Sequence, residues 1–159
     1  MTDFIKDWLA WLLDSASLLP EDQRAGLLSR CGERCAQTGI LEEYRKLFDS
    51  SSGDPDIFFS RLDEISGVSG AVVTAGSAYE IMFRSCLCDL HTQGCTDSEV
   101  LCGCSRGSVA HVMRTLMPER RFTVTKLHTI LGGFKECRFL IEGSVDAAED
   151  RMEGKAADE

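Results

Sequence analysis

The hydrophobic period changes once along this chain, near Gly67, and that change limits the fold more than any other feature. Upstream, apolar residues return every three to four positions, the period of a helix with one face in a core. Downstream come short β-branched and aromatic runs separated by glycine, the pattern of strands and turns. Helices first and strands later imply an α+β architecture, with N-terminal helices packed against a small antiparallel sheet.

In residues 4–13, Phe4, Ile5, Trp8, Leu9, Trp11, Leu12 and Leu13 spread a wide apolar face around a helix interrupted by Lys6 and Asp7. This helix either docks or offers a partner surface, a homodimer being one outcome. Pro20 followed by Glu21 and Asp22 suits a first helical turn, because proline's missing N–H is harmless there and acids complement the dipole. That second helix should run to Gln37 and end near Gly39. A third spans residues 41–48, and residues 50–53 turn. Asp54 reads as an N-cap with Pro55 behind it, opening a fourth helix that carries Ile57, Phe58, Leu62 and Ile65 inward.

Residues 70–74 and 78–83 read as a hairpin around Gly76-Ser77. Residues 86–103 hold four cysteines and little periodicity, so a loop is expected there. Residues 105–117 form a helix with Val109, Val112, Met113 and Leu116 at core spacing, stopped by Pro118. Residues 121–131 and 137–142 are two strands joined by Gly132-Gly133-Phe134, the clearest hairpin in the chain. A chain of 159 residues, 43% hydrophobic, can bury roughly two-thirds of its unfolded surface, so residues 1–143 are expected to be one domain. Its helical part is 1–66 and its sheet, cysteine loop, helix and hairpin occupy 67–143. Residues 144–159 are mostly small and acidic, a tail expected to be disordered.

The net charge of −9, with Lys and Arg scattered, leaves no basic surface for phosphates, so nucleic acid is not an expected partner. The longest apolar run, residues 8–13, falls far short of the roughly 20 residues a membrane span needs, and Asp3 stands where a signal peptide carries positive charge. A cytoplasmic protein with no membrane partner is expected. In that reducing compartment its eight cysteines stay free, as core residues, metal ligands or reactive groups.

Cys31 and Cys35 lie four apart on the second helix and project from one face. Gly32 between them costs about 0.5–1 kcal/mol relative to alanine, a hint that something approaches the backbone there. Cys86-Leu-Cys88 and Cys102-Gly-Cys104 are two Cys-x-Cys pairs, with Cys95 between. An extended Cys-x-Cys sends its sulfurs to opposite faces, so a bend is required for both to reach one metal. A helix after Cys104 would aim its N–H groups at the loop and lower thiol pKa values. Cys137 shares a strand face with Phe139 and Ile141, while His128 on the partner strand and His91 in the loop could complete a mixed site. No phosphate-binding glycine loop, His-Glu-x-x-His or Gly-x-Ser-x-Gly motif is present.

The stretch from Cys102 through the helix to Phe122-Thr-Val-Thr-Lys-Leu-His-Thr-Ile-Leu-Gly-Gly-Phe-Lys-Glu-Cys-Arg-Phe-Leu-Ile141 resembles the end of the 4-vinyl-reductase-type domain. The whole chain, with Cys31-x-x-x-Cys35, is similar to an uncharacterised cysteine-rich bacterial family with the same ending. The resemblance implies a small-molecule-binding module, sensory in some members, with a structural zinc on a cysteine before the helix and cysteines on the hairpin. Carried over, Cys102 or Cys104 and Cys137 match. Thr129 stands near the place of the other hairpin ligand with His128 beside it, and Cys88, Cys31 or Cys35 could supply what is missing.

Two readings follow from the residues and the resemblance together. The first is a cysteine-rich binding module for a small molecule or metal, sensor-like, with zinc held among Cys31, Cys35, Cys88, Cys102, Cys104, Cys137 and His128; an iron–sulfur cluster or haem is a lesser expectation. The alternative is a thiol-dependent reductase or hydrolase, with a loop cysteine of lowered pKa as nucleophile.

Overall fold

The computed structural model describes residues 3–145. The first half is helical: α1 (Asp3–Ser17), α2 (Glu21–Gln37), α3 (Ile40–Ser50) and α4 (Pro55–Ser60). α4 starts as its sequence directs, the Asp54 carboxylate accepting from the Asp56 and Ile57 N–H groups at 2.8 and 3.2 Å. It ends sooner than expected. The Arg61 guanidinium, held by Glu64 and the Ser50 carbonyl, marks a break, and a tighter 3-10 turn over Leu62–Glu64 follows. Phe58, Phe59, Leu62 and Ile65 are buried, whereas Ile57, expected to turn inward, is 46% exposed, since it lies about 100° round α4 from Phe58.

Four antiparallel strands follow: β1 (Val68–Thr74), β2 (Ala78–Phe83), β3 (Arg120–His128) and β4 (Cys137–Val145), in the order β1-β2-β4-β3. The α+β class holds, as do both hairpins. Tyr79 pairs with Ile141, Ile81 with Phe139 and Phe83 with Cys137, so β2 and β4 bring matching apolar residues to one face. Cys137, Phe139 and Ile141 are all buried, as strand alternation requires.

β3 is shorter than the expected 121–131. A register shift lies between Lys126 and His128, and residues 129–136 form a longer connection than a Gly-Gly turn. Buried Thr129 organises it: its carbonyl accepts from the Gly132 and Phe134 N–H groups, and its hydroxyl accepts from Gly132 as well. Residues 86–103 are also more regular than a loop. They contain α5 (Asp89–Thr92) and a 3-10 turn over Glu99–Leu101, and α6 (Cys102–Leu116) begins ahead of the expected residue 105.

α6 packs on the sheet and is crossed by α2. The crossing is unusually close because it is lined by glycines. A Cβ at Gly32 would lie 2.0 Å from the Cys104 carbonyl oxygen, and one at Gly107 would lie 2.5 Å from the Ser29 Cα. Beneath lies a core in which Phe59 stacks on Tyr79 at 4.2 Å and Phe58 meets Phe48 and Phe59 edge-on. α1 buries only Leu13 and Ala16, leaving Phe4, Trp8 and Trp11 at 66%, 52% and 58% exposure. No helix among the described residues is long and apolar enough to cross a membrane. β4 runs to Val145, past the expected domain end at residue 143, and the rest of the expected acidic tail lies outside the described residues.

Candidate thiol sites

The start of α6 decides where the cysteines go. Residues two apart on a helix point about 200° apart, so Cys102 and Cys104 face opposite ways and join different neighbours. Cys86 and Cys88 divide in the same sense. The six cysteines expected as candidate metal ligands are thereby divided between two thiol groups, with His128, the seventh candidate, apart from both.

One group lies at the turn end of the β3–β4 hairpin and joins Cys102, Cys137 and Cys86. Cys102 is buried and faces Thr129 and Cys86, with Lys126 and Glu99 nearby. The Ile130 N–H donates to the Cys137 Sγ at 3.4 Å, and Cys137 faces Cys102 and Cys86. Thr129, the residue standing near the place of a cysteine ligand in the resemblance, thus does face Cys102. Cys86 was missed by sequence reasoning as a site residue. The signal was available, since alternate positions in Cys86-x-Cys88 should have been assigned to opposite sides.

The other group lies across the α2–α6 crossing. Cys104 faces Cys31, Cys35 and Cys88, while Cys35 faces Cys88, Cys31 and Asp89. Cys31 and Cys35 are exposed, whereas Cys88 and Cys104 are partly buried.

His128 stacks on Phe134 with ring centroids 4.7 Å apart, and its Nε2 lies 3.8 Å from Glu136. It pairs across the sheet with Arg138, the neighbour of Cys137 whose side chain takes the other face. His91 contacts Asp97 at 2.9 Å, and His111 contacts Glu33 at 3.2 Å.

The thiol electrostatics run against the expected activation. Burial pushes the Cys104 thiol up to about 12, and the facing Cys31, Cys35 and Cys88 add to it. Burial likewise raises Cys35, Cys102 and Cys137, and for Cys102 it outweighs the opposing effects of Thr129 and Lys126. A helix start was expected to lower such values, but the loss of hydration dominates. These four are protonated thiols at neutral pH, unlike an activated nucleophile. No disulfide is present among the described residues. Among the described residues, no three His, Cys, Asp or Glu side chains are already gathered tightly enough to hold a metal ion. The donor chemistry of both groups nevertheless suits zinc, which takes thiolate ligands in preference to most others.

No family model matches the chain, and no curated protein matches it by sequence. Solved structures do. The chain is similar to the phenol-responsive sensory domain of the transcription activator PoxR, in a crystal structure with phenol, at 17% identity and a TM-score of 0.52, covering 94% of this chain and 80% of that one. It also matches trafficking protein particle complex subunit 3 from Naegleria fowleri, covalently bound to palmitic acid, at 12% identity and a TM-score of 0.43, covering 90% of this chain and 97% of that one. The likeness to the first of these, over nearly the whole chain, is one of fold.

Proposed function

We propose that this protein is a small-molecule-binding, sensor-like module of the 4-vinyl-reductase type. The observation that carries the reading is the likeness of fold, over 94% of the chain, to a domain that responds to phenol. Zinc on Cys86, Cys102 and Cys137 would pin the hairpin to the first turn of α6, and when bound it would supply a rigid cross-link. The ligand-binding reading makes the chain a cytoplasmic receptor that pairs with a second copy through the exposed face of α1.

Thermal melting with phenol and its alkyl derivatives tests the binding. A true ligand raises the melting temperature with the logarithm of its excess over Kd, by an amount equivalent to about 2.7 kcal/mol at a hundredfold excess. No shift with any of them, and a native mass equal to the bare chain after purification, would remove the reading.

A further inference from the structure

Four thiols that the core does not use stand where α2 crosses α6. Unpaired cysteines are among the residues most often buried, yet Cys31 and Cys35 are exposed, and Cys88 and Cys104 are only partly covered. Packing does not account for the group. Its members nevertheless lie close together: Cys31, Cys35 and Cys88 all neighbour Cys104, and Cys31 and Cys88 neighbour Cys35.

Gly32 explains how they meet. With the Cys104 carbonyl 2.0 Å from where its Cβ would be, this position holds the two helices in backbone contact. At about 100° per residue, Cys31 and Cys35 both lie on the same flank of α2 as seen from Gly32, roughly 100° and 60° round from it. Both sulfurs therefore project along one side of the seam, beside Cys104. Cys88, whose carbonyl accepts the His91 and Thr92 N–H groups that open α5, closes the group from a third element.

We propose that Cys31, Cys35, Cys88 and Cys104 form a four-thiolate site for one soft divalent cation, zinc by preference, clamping α5 to the α2–α6 pair. The site is separate from the Cys86–Cys102–Cys137 group and does not rest on the ligand-binding reading. Four sulfurs and no open position make a closed, structural centre rather than a catalytic one. A single torsion separates each sulfur from its backbone, so the thiols gather round the cation by side-chain rotation. Each thiol gives up its proton as its S–Zn bond forms, and up to four protons pass to solvent. Zinc stays divalent, nothing is oxidised, and the site carries a net charge of −2.

The test uses the full chain, purified under reductant and without oxygen, with Zn2+ and then Co2+ as probes. Zinc content, proton release in weak buffer and cobalt–thiolate charge-transfer absorption are read for the wild type, C31S/C35S, C88S and C102S/C137S. The expected result is that C31S/C35S and C88S each bind this metal at least ~100-fold more weakly and lose most of the cobalt absorption, whereas C102S/C137S retains it. Circular dichroism of the metal-free variants checks that they fold, as expected for the exposed positions 31 and 35. Wild-type metal content and affinity in folded C31S/C35S, or no uptake by the wild type, would overturn the proposal. Loss of all metal in C102S/C137S alone would overturn it too, while leaving the hairpin zinc in place.

Discussion

At position 32, one missing side chain decides how closely two helices meet. Alanine is the better helix former by about 0.5–1 kcal/mol, so on propensity alone Gly32→Ala would stabilise α2. The added Cβ would fall 2.0 Å from the Cys104 carbonyl oxygen and 2.6 Å from the Ser108 nitrogen, both backbone atoms that cannot swing aside. The clash wins, and Gly32→Ala should lower unfolding free energy by about 1–3 kcal/mol in urea titration. Asp56 gives a second residue-scale test. Its carboxylate accepts from the Gly76 N–H and from the Tyr79 hydroxyl, each at 2.8 Å, and these bonds, the first more than the second, hold its pKa below 3.8. A depressed carboxylate pKa adds stability that is present above the unfolded value and lost as pH falls through the folded one. Asp56→Asn should therefore melt below the wild type at neutral pH, with the gap closing as the pH drops below 3.8. A gap that persists unchanged in acid would show that the carboxylate charge contributes nothing.

Among the elements, α1 is the one whose surface exceeds its contacts. Leu13 and Ala16 tie it down, while Phe4, Trp8, Trp11 and Leu12 remain exposed. Contiguous apolar exposure of this kind marks an interaction surface more often than idle decoration. If a second copy covers it, Trp8→Glu with Trp11→Glu should convert a dimer to a monomer in analytical ultracentrifugation without lowering the helix content; an unchanged mass would exclude pairing through this helix. α6 makes a different point about elements. Cys102-Gly-Cys104 has one meaning in a loop and another in a helical first turn, and where the helix begins settles which. The local sequence hid that start, since Gly103 and Gly107 weaken helix propensity and neither Leu101 nor its neighbours supplies a side-chain cap. The two glycines make sense only beside α2, where Gly103 accommodates Leu28 and Gly107 accommodates Ser29.

For the whole molecule, stability concentrates where the helices meet the sheet. Phe58 is fully buried and its ring meets those of Tyr44, Phe48 and Phe59, so it joins α3 and α4 into the core. Phe58→Ala should cost about 3–5 kcal/mol, a large share of the 5–15 kcal/mol typical of a domain, and calorimetry would register it as a lower melting temperature. Much of this architecture was legible beforehand. The change of period at Gly67, the Asp54-Pro55 helix start and the alternation of Cys137, Phe139 and Ile141 are local signals, and local signals determine elements. They fixed the α+β class and both hairpins because dihedral preference and side-chain period act within a few residues of one another. Tertiary structure alone decided the insertion of β4 between β2 and β3, the hold of Thr129 on the 129–136 connection, and the division of the cysteines into two groups. Those features depend on which distant segments touch, and the backbone contact at Gly32 that sets Cys31 and Cys35 beside Cys104 spans a separation that no periodicity encodes.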